Sequence, residues 1–275
     1  MNFAIELRQI GIIAGKEFHD RIRSRWVLAV TVVFTAFALV IAYFGAAQQG
    51  AVGFRDIQVT IASLVSLVIY LLPLIALILG FDAVVGERER GSLDLLLSMP
   101  ITRLELLLGK FVGLSAALAA STLLGFGLVG ALLAVNMPVA DLYHYAGFIL
   151  SSVLLGMAFL SLAVAVSVFA QDRTRASGAA IALWFFFVLV FDILLLGGLV
   201  VTGGAFGADL FPYLLLLNPA DVFRILNIFG LDEVRTVYGL TTVFPERLAN
   251  PVLLGAVMLA WIVAPLTIAA WRFRK

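Results

Sequence analysis

Reactive side chains are scarce in this sequence. It holds no cysteine and only two histidines, His19 and His144, which excludes disulfides, thiolate metal sites and cysteine nucleophiles. Neither histidine sits in an H-E-x-x-H pattern or is spaced with a nucleophile, so no catalytic residue and no metal site are expected. Phosphate chemistry is no better served. Gly15-Lys16 and Gly109-Lys110 lack both the leading glycine and the following Ser or Thr of G-x-x-x-x-G-K-[ST]. Two features remain: one acid, Asp192, inside FFFVLVFDILLLGG, and a dense cluster of eight charged residues in GERERGSLDLLLSMPITRLELLLGK, Gly86 to Lys110.

The elements that must carry them are membrane helices. At 275 residues, 63% hydrophobic and 13% charged, the chain has more apolar surface than a soluble domain could bury, so lipid is its solvent. About 20 apolar residues cross a hydrocarbon core of roughly 30 Å, and six such spans read at 26–46, 57–81, 106–135, 143–170, 178–201 and 251–271. The fold class is therefore an all-α polytopic membrane domain covering 1–275, with an N-terminal helix at 1–25, a charged region at 86–105 and a long segment at 202–250. Lys and Arg orient it. Arg8, Lys16, Arg21, Arg23 and Arg25 precede the first span, Arg88, Arg90, Arg103 and Lys110 follow the second, Arg173 and Arg175 follow the fourth, and Arg272, Arg274 and Lys275 end the chain. That pattern puts both termini in the cytoplasm. No nucleic-acid partner is expected.

Phe3, Leu7, Ile10, Ala14, Phe18 and Ile22 recur at helical spacing, which predicts an amphipathic helix in the membrane interface with Glu17 and Arg21 as an i,i+4 pair on its polar side. Gly109, Gly113, Ala117, Ser121 and Gly125 recur every four residues along the third span, a ridge of small residues for close helix packing, either with a neighbour in the same chain or at a subunit seam. Asn218, Pro219 and Asp221 signal a helix start in the outer segment. That helix either dips back onto the spans or docks a partner through Asn218, Pro219, Asp221 and Arg224. Asp192 has no cationic partner in the other spans. It is a candidate for a substrate path, with a locally hydrogen-bonded, protonated carboxyl as the competing reading.

Within the charged region, Ser92 can cap a short helix, Asp94 lies in its first turn and Pro100 ends it. Leu93, Leu96 and Leu97 share a face, and Thr102 with Glu105 has capping-box spacing at the start of the third span. A solvated loop needs neither the leucine face nor the helix signals. The pattern E-R-E-x-G-S-L-x-x-L-L-x-x-P-x-[TS]-R followed by G-K, with K-E-F at Lys16 to Phe18 and six spans, resembles the ABC-2 type permeases, the membrane subunits of ATP-driven transporters. The resemblance covers nearly the whole chain. It implies that a cytoplasmic helix between spans two and three sits in a groove of a P-loop ATPase subunit, which binds ATP and Mg; no cofactor is implied in this chain. Carried onto matching positions, the coupling residues are Lys16, Glu17, Glu87, Arg88, Glu89, Arg90, Gly91, Leu93, Asp94, Leu96, Leu97, Pro100 and Arg103.

The wording YLLPLIALILGFDAVVGERERGSLDLLLSMPITR and LNPADVFRILNI resembles the branch of that family serving copper-centre maturation of bacterial nitrous oxide reductase. This implies a second copy of the chain, a pair of ATPase subunits and a periplasmic repeat protein on the outer helices, in the bacterial inner membrane. Copper carriage would need soft or imidazole ligands, whereas the spans offer only Met157 and Met258 as thioethers, so the exported species is expected to be something else, such as a sulfur compound, or the motion is passed mechanically to the outer partner. Two other readings stand beside this one. A stand-alone secondary transporter would show inverted repeats, broken helices and several buried ionisable groups, and a membrane scaffold would carry no transport at all.

Overall fold

The computed structural model describes residues 6–44, 57–134, 139–201, 207–228, 248 and 250–274. Among them every regular element is a helix, and six are long and apolar enough to cross a membrane: Trp26–Phe44, Thr60–Glu89, Arg103–Leu133, Leu142–Phe169, Arg173–Val201 and Pro251–Arg274. In chain order the helices are α1 (Leu7–Arg23), α2 (Trp26–Phe44), α3 (Ile57–Gly80), α4 (Val85–Glu89), α5 (Ser92–Leu97), α6 (Arg103–Leu133), α7 (Val139–Phe169), α8 (Arg173–Phe185), a π-helical turn at Phe186–Val190, α9 (Phe191–Val201), α10 (Gly207–Leu215), α11 (Pro219–Ile228) and α12 (Pro251–Arg274).

The spans start and stop where local chemistry says they should. Thr102 and Glu105 complete the capping box, with the Thr102 hydroxyl accepting from the Glu105 amide and the Glu105 carboxylate accepting from the Thr102 amide at 2.6 Å. This begins α6 at Arg103, three residues before the expected start. Asp172 caps the fifth span through the Arg175 amide and begins it at Arg173, five residues before the expected Gly178. Between α1 and α2 the chain turns through Arg25, which has a positive φ of 58°.

The long helix α7 is central, with α3, α6 and α12 packed around it and α2 laid on α6. Aromatic rings carry the core across these elements. Phe34 of α2 stacks on Phe126 of α6 at 5.0 Å, Phe126 meets Phe148 of α7 edge-on, and Phe148 touches Phe223 of α11. Tyr145 donates its hydroxyl to the Phe126 carbonyl in the same cluster. The spans α2 and α8–α9 are the least buried.

The small-residue ridge of α6 packs within the chain and serves two helices in succession. A Cβ at Gly109 would lie 2.6 Å from Ile13 Cβ, and one at Gly113 would lie 2.5 Å from the Ala14 carbonyl oxygen and 2.7 Å from Glu17 Cβ, all on α1. Farther along, α2 takes over: a Cβ at Gly125 would meet Phe34 Cβ at 2.6 Å, and Thr31 and Thr35 donate to the carbonyls of Ser121 and Gly125. Helix α1 is thus pressed onto α6 by the face that holds Ile13, Ala14 and Glu17, while Leu7, Ile12 and Ile22 are exposed. This corrects the expected stripe, because Glu17 lies on the packed side and does not pair with Arg21.

Helix α11 starts as its sequence signals, with the Asn218 side chain accepting from the Ala220 amide. It then packs against α7, α12 and α3, buried along most of its length. The alternative in which this helix dips back onto the spans is the one observed.

The Gly113 approach leaves no room for a side chain. Gly113→Leu is expected to lower stability by about 1–3 kcal/mol through overpacking and to expose α1 to protease, whereas Gly127→Leu, whose Cβ would meet nothing within 4 Å, should change neither. Thermal unfolding and limited proteolysis of the purified protein check this.

Candidate functional site

The charged region folds into two short helices, α4 and α5, linked by Gly91, whose φ of 70° is a left-handed conformation that disfavours a side chain. A buried serine supplies the start of α4, since Ser167 of α7 accepts from the amides of Val84 and Val85 at 2.9 and 3.0 Å. Ser92 does not cap α5 as expected. The cap position is Gly91, and the Ser92 hydroxyl instead donates to the Glu87 carbonyl.

The centre of the site is an ion triad. Lys110, on the second turn of α6, places its ammonium 2.9 Å from Glu17 of α1 and 2.6 Å from Glu87 of α4, and all three side chains are nine-tenths or more buried. Burial pushes the Glu17 carboxyl up, but the Lys110 ammonium, helped by Lys16, more than reverses this and holds it below the ordinary carboxylate range. Lys16 is exposed and pairs with Asp20 as well as Glu17. The second Glu87 oxygen has no hydrogen-bond partner among the described residues. Three separate stretches of chain are therefore fastened to one nitrogen. Sequence reasoning counted Lys110 as an ordinary loop charge; its position eight residues inside a capped helix was the sign that it would be buried and need partners.

The rest of the alternating cluster is also used internally. Arg88 donates to the carbonyls of Ala170 and Val168 at the end of α7. Glu89 accepts from the Arg173 amide at 2.7 Å, and the Arg173 side chain returns to Asp82. Arg90 is exposed; its amide donates to the Gly86 carbonyl, and its side chain makes no hydrogen bond or ion pair among the described residues. Arg103 donates to the Phe273 carbonyl and lies over its ring.

The leucine face of α5 points the other way from a plug. Leu93 is buried, and Leu96 and Leu97 pack against the core of this chain. Asp94, Leu95, Ser98, Met99 and Pro100 form the outward surface, with Leu95 66% and Met99 50% exposed. Those last two apolar side chains are the ones sequence reasoning missed, since the i, i+4 spacing of 95 and 99 was hidden in a run of leucines.

At the far end of the bundle lies a second polar cluster. Asp192 pairs with Arg224 at 3.2 Å, and Arg224 also pairs with Asp221 at 2.6 Å. The cation comes from α11, which is not a span. Asn218 and Asp221 are both 1% exposed, and Pro219 is buried with them. Asn218 donates to the Phe187 carbonyl in the π-helical turn and to Asp221. Burial pushes the Asp221 carboxyl up to about 7 against the pull of Arg224. Of the four residues read as a docking surface, only Arg224 keeps substantial exposure.

Six helices long and apolar enough to span a membrane are thus joined to a built α4–α5 unit at one end. Residues 12–275 match the model of the ABC-2 family transporter proteins. The chain belongs to that family. It is 41% identical over 273 residues to "Probable ABC transporter permease protein NosY" of Stutzerimonas stutzeri, covering 98% of this chain and 99% of that one. It is 44% identical over 270 residues to the protein of the same name from Pseudomonas aeruginosa, covering 96% and 97%. This ABC-2 chain is thus a membrane-spanning permease subunit of an ABC transporter, and such a subunit works with a separate ATPase.

Breaking the triad from its centre strands two buried carboxylates. Lys110→Met is expected to cost about 3–5 kcal/mol, whereas Glu17→Gln/Glu87→Gln/Lys110→Met together should recover most of that loss. The Glu17 contribution is present above its unfolded value of 4.5 and is lost as the pH falls through its lower folded value. Acidification below that range should therefore destabilise the wild type and leave the triple variant nearly unaffected in this respect. Thermal unfolding of all three proteins against pH measures both effects.

Proposed function

We propose that this chain is one half of a homodimeric inner-membrane permease, in which α5 receives the motion of a cytoplasmic P-loop ATPase and α1 and α4 relay it. The observation that carries this reading is the division of labour in the charged region. Its ionic and polar side chains tie α4–α5 to α1, α6, α7 and α8, while Asp94, Leu95, Ser98, Met99 and Pro100 face outward. A surface with two apolar side chains on one short helix suits a partner's groove, and rigid ties behind it suit transmission of a push. The ATPase subunit would bind ATP and Mg; this chain would hydrolyse nothing.

The same reading places the basic ends of α1 and α12 in the cytoplasm, following the inward bias of Lys and Arg. The exposed residues Leu7, Ile12 and Ile22 of α1 would then lie in the inner interface. The poorly buried spans α2 and α8–α9 leave area for lipid and a second copy. The likeness to NosY permeases supports a role in a complex that matures the copper centre of nitrous oxide reductase, with a periplasmic repeat protein as the outer partner. That partner would not sit on Asn218, Pro219 or Asp221, which this chain buries.

The cargo would be a sulfur-containing species, or the motion would pass mechanically to the outer partner. Copper passage would ask for a run of soft ligands, and the described spans place thioethers at Met157 and Met258, the latter fully buried. Asp192 remains a substrate-path candidate with a defined role for its charge: its partner Arg224 neutralises it from outside the spans.

Two outcomes test this. Leu95→Glu with Met99→Glu should weaken co-purification of the ATPase by about 2 kcal/mol or more, roughly thirtyfold, without loss of thermal stability, since both side chains already face outward; unchanged association would sink the coupling role of α5. Vesicles holding the assembled complex should show no ATP-dependent copper uptake, and the appearance of such uptake would end the cargo assignment.

A further inference from the structure

Beside α5, reaching its exposed residue Asp94, lies a cavity of about 330 Å³ lined by three arginines, Arg88, Arg103 and Arg272, with Asp94 as the only acid among its lining residues. Its remaining walls are Leu93 and Leu97 of α5 and, at the ends of two spans, Phe169 and Phe273 with their neighbours. Arg88 and Arg103 are exposed but anchored at helix ends, Arg88 by the carbonyls of Val168 and Ala170 at the end of α7 and Arg103 by that of Phe273 of α12. No salt bridge among the described residues neutralises Arg88, Arg103 or Arg272. Three positive charges facing one space repel one another, and an anion between them relieves that cost. A guanidinium that gives one or two of its five N–H donors to carbonyls keeps the others for phosphate oxygens.

We propose that this cavity binds the phosphate of an anionic phospholipid from the leaflet at the basic end of the bundle. Depth and lining select a lipid. Helix α12 has 24 residues, about 36 Å at 1.5 Å per residue, so its last turn, with Arg272 and Phe273, emerges beyond a hydrocarbon core of roughly 30 Å, at headgroup level. Trp271, 60% exposed, marks the same level with the kind of aromatic side chain that favours a membrane interface. An apolar wall of leucine and phenylalanine accepts the glycerol and first methylenes, the arginines take the phosphate, and the Asp94 carboxylate can accept from a headgroup hydroxyl. Leu95 and Met99, the apolar side chains offered to a partner, do not line the cavity. The bound lipid would join α5 to the ends of α7 and α12.

The test is native mass spectrometry of the full-length permease, extracted with its ATPase partner in mild detergent and supplied with phosphatidylglycerol. The wild type should retain one phosphatidylglycerol per permease chain. Arg103→Gln with Arg272→Gln should lower that occupancy at least about tenfold, the loss of two charge-assisted contacts, and Arg103→Lys with Arg272→Lys should keep most of it. The lysine pair also serves if the glutamine pair fails to assemble: its retention of phosphatidylglycerol over phosphatidylethanolamine must then match the wild type. Equal retention in the glutamine pair, equal retention of phosphatidylethanolamine, or displacement of the lipid by millimolar inorganic phosphate would each overturn the proposal, the last by assigning the arginines to a free anion. Loss of the lipid when the ATPase binds would overturn it in favour of an acidic side chain of that partner.

Discussion

A lysine ammonium taken out of water must be met by negative charge or lose its own, and Lys110 is met from two sides. The carboxylates come from α1 and α4, elements separated by two spans in sequence and joined through this nitrogen. The geometry of the basic end follows from that demand. Glu17 can reach Lys110 only if α1 lies flat along α6, and α1 can lie there only because Gly109 and Gly113 offer no side chains to hold it off. Glu87 can reach it only if the chain leaving α3 turns back at once, which the Ser167 hydroxyl stabilises by accepting the two amides that the turn leaves open. Packing and charge therefore specify the same arrangement at this end of the bundle.

The two ends of the bundle each place one cation between two carboxylates. At one end a cation is enclosed by two carboxylates; at the other an arginine from α11 sits between Asp192 and Asp221. Lys110 joins two other elements, α1 and α4, whereas Arg224 joins α9 through Asp192 and pairs within its own helix with Asp221. They differ in exposure too. The Lys110 triad is sealed, whereas Arg224 keeps contact with the surroundings, which suits a fixed joint in the first case and a rearranging contact in the second.

What could be read from the sequence was local. The Thr102–Glu105 capping box, the start of α11 at Asn218-Pro219 and the six spans depend on neighbours within a few residues, and they stand as read apart from their end residues. What could not be read was direction. Leu93, Leu96 and Leu97 do share a face, but which way that face turns is decided by α6 and the end of α7, which no spacing rule sees. The Glu17–Arg21 pairing looked favourable because i,i+4 charges attract on an isolated helix; a buried ammonium on another helix outbids a solvated guanidinium on the same one. Asp192 has no cation to meet among the spans, and Arg224 reaches it from α11, a helix too short to be a span.

The π-helical turn at Phe186–Val190 gives the fifth span a property its smooth hydropathy conceals. Each residue of an α-helix advances the side chains by about 100°, and a π turn accommodates one more residue than the ladder would otherwise hold. The two halves of this span are consequently out of phase. The first keeps the azimuth that lets Trp184 donate to the Tyr70 carbonyl on α3, and the second keeps the azimuth that turns Asp192 to Arg224, with Asn218 closing the widened turn at the Phe187 carbonyl. One rod thus satisfies two angular requirements that an unbroken α-helix would not meet together, and the phase slip falls between the half that meets α3 and the half that meets α11.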